Sequence, residues 1–347
     1  MFLSPLPLPD TGAAARAVAR WNSIAKPVGS LGLLEDAVVK IAALTGSENV
    51  RLVKRTVVVM CADNGVVEEG VTQSPQSVTA LVAGNMVRGD SSVCRMGACF
   101  GANVMPVDIG MAGDAEGVIN KKIARGTMNM TKGPAMTRAQ AEQAIRTGID
   151  LVKELREQGC DILVTGEMGI GNTTTSAAIA SVLLHKPVPE MTGRGAGLSD
   201  AGLNRKIAAI EKAIEVNRPD PEDAMDVLTK LGGFDIAGLV GLFIGGALCR
   251  VPVVIDGFIS AVAALVAMRI APGCENAMLA SHRSAEPAVS AVMQALRMQA
   301  PITAGLRLGE GTGGVCLLPL LDAALSVYHG MVAFNDIGLA PYEVYKK

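Results

Sequence analysis

The feature that most constrains this chain is a set of short, uninterrupted apolar runs at Thr56–Cys61, Asn103–Ile109, Asp161–Thr165, Val251–Ile255 and Ala277–Ala280, separated by longer stretches with helical periodicity. Alternating runs would mark a sheet that is wet on one face, whereas continuous runs mark strands covered on both. The pattern therefore predicts an α/β fold, a parallel sheet flanked by helices in a Rossmann-like arrangement. The stretch Thr137–Gln158 shows how its helices are specified. Thr137 and Gln140 make a capping box, Ile145, Ile149, Val152 and Leu155 share a face, and Gly159 supplies the stop. A second amphipathic helix starts at Ser199-Asp200 and runs to Glu215, ahead of the Pro219–Pro221 break. The first fifty residues and Cys316–His329 read as helices without strands. The expected division is a large α/β domain over residues 52–314 and a small helical domain built from both chain ends, residues 1–51 plus 315–347.

Composition removes several function classes. With 50% apolar residues among 347, the chain has ample material for a core and is not disordered. Lys and Arg number 31 against 33 Asp and Glu, with 3% aromatics and no basic block, so neither phosphate-backbone binding nor base stacking is expected and no nucleic acid is a partner. A mean hydropathy of +0.36 raises the question of a membrane, most sharply at Ile236–Ala271. There Arg250 and Asp256 break the segment into apolar runs of roughly fourteen and twelve residues, short of a spanning helix, so no membrane is expected either. The opening MFLSPLPLPDTG lacks a basic region leading into an apolar one, so no secretory signal is expected. Seven cysteines without a CxxC pair suit reduced thiols in the cytoplasm, and three scattered histidines give no metal cage. No metal or cofactor is expected.

Ligands of open parallel sheets bind beyond the carboxyl ends of the strands, and here those ends carry carboxylates beside glycines. They are Asp63-Asn64-Gly65, Asp108-Ile109-Gly110, Gly166-Glu167-Met168-Gly169, Asp256-Gly257, and Leu306-Arg307-Leu308 leading into Gly309-Glu310-Gly311-Thr312-Gly313-Gly314. Glycines at 166, 169 and 171 permit tight turns, and Asn172–Thr175 open a helix whose free amides suit a monophosphate. The spacing is neither a Walker A loop nor a dinucleotide fingerprint, and a simply capped helix is the alternative. Four glycines around Glu310 let its carboxylate and backbone approach a flat ligand, where a carboxyl of raised pKa is a better base; the alternative is a flexible loop. Gly193-Arg194-Gly195-Ala196-Gly197 with Lys206 is a second anion candidate, Lys206 otherwise belonging to a solvated helix face. Enzymes that release pyrophosphate end a strand in paired acids; Val253–Gly257 has one, which points to a metal-free displacement.

Several motifs, in collinear order over essentially the whole chain, resemble the nicotinate-nucleotide:dimethylbenzimidazole phosphoribosyltransferase family of cobalamin biosynthesis. They are Lys26-Pro27-Val28-Gly29-Ser30-Leu31-Gly32, Ala62-Asp63-Asn64-Gly65-Val66, Gly166-Glu167-Met168-Gly169-Ile170-Gly171-Asn172-Thr173-Thr174, Gly195-Ala196-Gly197-Leu198, Ser281-His282-Arg283-Ser284-Ala285-Glu286 and Leu308-Gly309-Glu310-Gly311-Thr312-Gly313. The resemblance implies transfer of phosphoribose from nicotinate mononucleotide to an aromatic base, giving an α-riboside 5'-phosphate and nicotinate. It also implies a homodimer, although phenol-directed relatives pair as heterodimers of homologous chains.

By the same resemblance Glu310 is the base and Glu167 stabilises the developing cation at ribose. Gly169, Gly171, Asn172, Thr173 and Lys206 hold the 5'-phosphate, with Ser284 and Arg307 around the nucleotide. Gln73, Leu81 and Leu308 are expected at the acceptor base. The chain departs from the family pattern at Leu81, where a glutamine is usual, and at Pro287-Ala288, where Gly-His is usual. Both departures leave benzimidazole, purine and phenol acceptors open. A non-catalytic subunit supporting an active partner is the alternative from another class.

Overall fold

The computed structural model describes residues 5–342. Six strands form one parallel sheet: β1 (Arg55–Ala62), β2 (Ala102–Gly110), β3 (Ile119–Asn120), β4 (Ile162–Met168), β5 (Val253–Ile255) and β6 (Met278–Ala280). Their order is β3-β2-β1-β4-β5-β6. The chain moves from β1 out to β3 and then crosses back to place β4 on the other side of β1. This reversal leaves a crevice between the carboxyl ends of β1 and β4.

Alternate strand residues serve two apolar cores. Val58, Met60 and Ala62 pack with the helices Arg138–Glu157 and Phe234–Cys249, while Val57, Val59 and Cys61 face Trp21, Ile41, Leu321 and Tyr328. Those last four belong to the helices Thr11–Ser23, Leu33–Thr45 and Leu318–Gly330, so both chain ends cover one face of the sheet. The Trp21 and Tyr328 rings lie 4.9 Å apart, and the Tyr328 hydroxyl donates to the Glu48 carbonyl at 3.0 Å. Thr137 and Gln140 form the expected capping box.

Three local expectations change. β4 runs on through Gly166-Glu167-Met168, because its pairing with β1 continues as far as Cys61 opposite Met168. Leu306–Leu308 is not a strand; the Leu306 carbonyl takes the Ala285 amide at 3.0 Å, and the segment reaches no sheet partner. The edge strand β3, with two residues, is too short to leave a hydropathy pattern. In the segment Ile236–Ala271 the helices Phe234–Cys249 and Phe258–Ile270 are both shorter than a span and almost wholly buried. Among the described residues one helical stretch, 312–330, is long and apolar enough to cross a membrane; half of it is buried, with Leu318, Leu321 and Tyr328 in the core of the second face.

Glycine also sets helix packing. Arg138–Glu157 and Phe234–Cys249 cross so closely that a Cβ at Gly148 would lie 2.2 Å from the Gly238 carbonyl oxygen, and one at Gly241 would lie 2.1 Å from that of Ile145. Alanine at Gly241 would gain about 1 kcal/mol of helix propensity. It would also force two backbones apart, a cost of about 1–3 kcal/mol that exceeds the gain where rigid backbone is the obstacle. Gly241→Ala is therefore expected to lower the urea midpoint of unfolding.

Candidate active site

The crevice between β1 and β4 opens into a cavity of about 300 Å³ above the carboxyl ends of the strands. One wall is the turn Gly169–Gly171 and the start of the helix Asn172–Leu183. Gly171 adopts a left-handed φ of +95°. A Cβ at Gly169 would lie 2.5 Å from both the Ala62 carbonyl oxygen and an Asp235 carboxylate oxygen, so the turn can sit against β1 only as glycine. Asp63, from the end of β1, accepts from the Thr79 hydroxyl at 2.7 Å and the Ala112 amide at 2.8 Å, and the Thr79 oxygen in turn accepts from the Ile170 amide at 3.3 Å. Burial pushes the Asp63 carboxyl up, opposed by these bonds.

The positive end of the helix Asn172–Leu183 favours an anion, but of the amides expected to be free, those of Asn172 and Thr174 donate to the Gly169 and Gly171 carbonyls, at 3.1 and 2.9 Å. Behind them lies Lys206, fully buried, donating to the Thr173 hydroxyl at 2.8 Å and the Gly193 carbonyl at 3.1 Å. Burial lowers its pKa to about 8, with Glu286 pulling the other way. Gly195 closes over this end at φ +52°; a Cβ there would meet Thr173 Oγ1 at 2.9 Å and Lys206 Nζ at 3.5 Å.

The floor is a group of carboxyls. Glu167 is paired opposite Met60 in the sheet, and the Asn172 amide donates both to it and to Asp235, the latter at 2.9 Å. Burial first, then the Asp235 charge, push Glu167 up to about 8; burial likewise lifts Asp235 to about 6. The loop Gly309–Gly311 lies directly on β4. A Cβ at Gly166 would be 2.5 Å from the Glu310 carbonyl oxygen, and one at Gly309 would be 2.6 Å from Glu167 Oε1. Glu310 itself holds φ +63°, and its Oε2 is buried with no hydrogen-bond partner. Burial, with the Asp256 charge adding to it, raises its pKa. Among the described residues no group of three or more His, Cys, Asp or Glu is disposed to hold a metal ion.

Glu310, Glu167, Gly169, Gly171, Asn172, Thr173, Ser284, Arg307, Gln73 and Leu308 all line this one cavity. Lys206 does not; it sits one layer behind Thr173. Leu81 is a correction. Along the helix Ser77–Val87, Thr79 points inward to Asp63, and at 100° per residue Leu81 is turned outward while Val82 returns to the cavity wall. Site residues not singled out individually include Asp256, His282 and Glu286, which also line the cavity. The carboxylate at a strand end and the Ser281–Glu286 motif were their only sequence signals.

An anion cradle and buried carboxyls at the switch point of a parallel sheet define a class of protein, an enzyme acting on a phosphorylated small molecule. The phosphoribosyltransferase family model DBI_PRT matches residues 6–339, and the chain belongs to that family. Nicotinate-nucleotide–dimethylbenzimidazole phosphoribosyltransferases of Acetivibrio thermocellus and Ruminiclostridium cellulolyticum are each 48% identical to it, over 93% and 94% of both chains. The crystal structure of CobT from Thermus thermophilus superposes with a TM-score of 0.89 at 36% identity, covering 95% of this chain and all of that one.

Glu167 holds its proton more tightly in the folded chain than in the unfolded one, where the ordinary value is 4.5. Folding is therefore increasingly opposed as pH rises from the ordinary carboxyl range towards 8. Glu167→Gln is expected to stabilise the protein by about 1–3 kcal/mol at pH 8 and to have little effect at pH 4, as read from denaturant midpoints across that range.

Proposed function

We propose that the protein transfers phosphoribose from nicotinate mononucleotide to an aromatic base, 5,6-dimethylbenzimidazole being the acceptor its relatives are named for. The products are nicotinate and an α-riboside 5'-phosphate, the activated lower ligand of a cobamide. The observation that carries the reading is the approach of the Gly309–Gly311 loop to β4, which brings Glu310 and Glu167 together beside the anion cradle.

In nicotinate mononucleotide the ring nitrogen bonded to C1' is cationic. When that bond breaks, its electron pair returns to nitrogen and the pyridine ring leaves neutral, so no metal is required to take up charge. The acceptor's unprotonated nitrogen attacks C1' from the opposite face, which inverts β to α. Its other nitrogen carries a proton, and Glu310, with a buried free oxygen and a raised pKa, takes it. Glu167 lies where positive charge grows on the ribose carbon. A cation there favours the ionised carboxylate that burial alone disfavours. The 5'-phosphate sits against Gly169, Gly171, Asn172 and Thr173, with Lys206 holding Thr173 from behind and adding charge. Ser284 and Arg307 flank the nucleotide, and Gln73, Val82 and Leu308 border the acceptor.

The chain acts as a homodimer in this reading, with a large α/β unit over residues 52–314 and a small helical unit from 1–51 and 315–347. Exposed Leu308 at the cavity mouth, and exposed Leu81 on the helix that carries Val82, support a second copy covering that side. Purified protein with nicotinate mononucleotide and dimethylbenzimidazole should release nicotinate, with adenine and phenol competing poorly. Failure with every acceptor would leave a non-catalytic subunit as the reading. Glu310→Gln is expected to lower kcat by about 10²–10⁴-fold with a much smaller change in the donor KM; an unchanged rate would remove Glu310 from the chemistry.

A further inference from the structure

The base depends on something that holds it. Glu310 occupies a left-handed conformation that a non-glycine residue adopts only when its surroundings enforce it. Its Oε2 makes no hydrogen bond, and the Val93 backbone amide supports the carboxylate, which steadies the side chain but not the backbone of the loop. What fixes the loop lies on its other side. Asp256, buried at the end of β5, accepts from the Gly314 amide at 2.8 Å through Oδ1 and from the Gly311 amide at 3.1 Å through Oδ2. These amides belong to the turn immediately after Glu310, so one carboxylate clamps the backbone that aims the base.

Asp256 is itself held from two directions. Its amide donates to the Ser260 hydroxyl at 3.2 Å, Ser260 pairs with Thr165 at 2.6 Å, and Thr165 donates to the Val254 carbonyl at 2.7 Å. From β6 the Ser281 hydroxyl donates to the carbonyls of Ile255 and Asp256, at 2.6 and 3.2 Å. His282 fills the space beside Gly313, where a Cβ would come within 2.0 Å of its ring. The clamp therefore connects β4, β5 and β6 to the loop of the base.

We infer that Asp256 is the positioning residue of the reaction, its carboxylate clamping the Gly311 and Gly314 amides so that Glu310 meets the acceptor's proton. The inference rests on the transfer reaction proposed above and on Glu310 as its base. Aspartate suits the place because one carboxylate offers an acceptor oxygen to each amide. Asparagine keeps the shape but has one acceptor oxygen, so one of the two amides then faces an N–H.

The test is a double-mutant cycle. Asp256→Asn is expected to lower kcat at least ten-fold while nicotinate mononucleotide binding, measured by calorimetry without acceptor, changes less than three-fold. In a Glu310→Gln background, with the residual rate read by single-turnover mass spectrometry of nicotinate, Asp256→Asn should cost nothing further, because a residue acting through the base has no effect once the base is gone. Ser281→Ala, which loosens Asp256 without removing it, should lower kcat two- to five-fold and show the same non-additivity even if Asp256→Asn does not fold. Equal losses in both backgrounds, or an unchanged kcat in a folded Asp256→Asn protein, would overturn the inference alone. A wild type that releases no nicotinate would overturn the reaction and the inference with it.

Discussion

The site depends on one close contact, the Gly309–Gly311 loop resting on the backbone of β4. At Gly166 there is no room for a side chain between strand and loop, and at Gly309 none beside the Glu167 carboxylate. Because backbone meets backbone, two acids 143 positions apart in the chain face one cavity (310 − 167). A single methyl group at either glycine would part them. The sheet register determines where Glu167 points, and the loop determines where Glu310 points.

Gathering acids at a buried site opposes folding. Glu167, Asp235 and Glu310 are all shifted towards their neutral forms by burial, and the Asn172 amide, shared between two of them, only partly offsets this. The cost is accepted locally and covered by two apolar cores, one on each face of the sheet. A donor that arrives with a cationic ring and leaves without it suits such a site. In the proposed reaction, positive charge over Glu167 would favour the ionised form that burial disfavours, and the start of Asn172–Leu183 would hold the far end of the same molecule.

Several elements were legible in the sequence because they are local. Strands buried on both faces wrote continuous apolar runs, and the capping box at Thr137 and Gln140 marked its helix start. Much of the cavity lining was named because it lies in glycine-rich segments or in the motifs that carry the family resemblance. Other features left no local mark. Leu81 was placed at the acceptor because it stands where relatives carry a glutamine, but helix rotation turns it outward and brings Val82 in. Gly148 and Gly241 are neither turn nor ligand residues; they let two helices cross, and their contacts are about ninety residues away in sequence.

By itself the sequence determined the class of fold, the family resemblance and the segments that carry the chemistry, since hydrophobic period, capping and glycine clustering act over a few residues. Tertiary structure decided what those segments do to one another. It turned Gly166 from a turn residue into a contact within β4, put Lys206 behind the anion cradle rather than in it, and joined Asp256 to the loop of Glu310. The physical reason is that burial, orphaned acceptors and backbone clearance are properties of pairs of segments far apart in the chain, and they exist only once the sheet order β3-β2-β1-β4-β5-β6 brings those segments into contact.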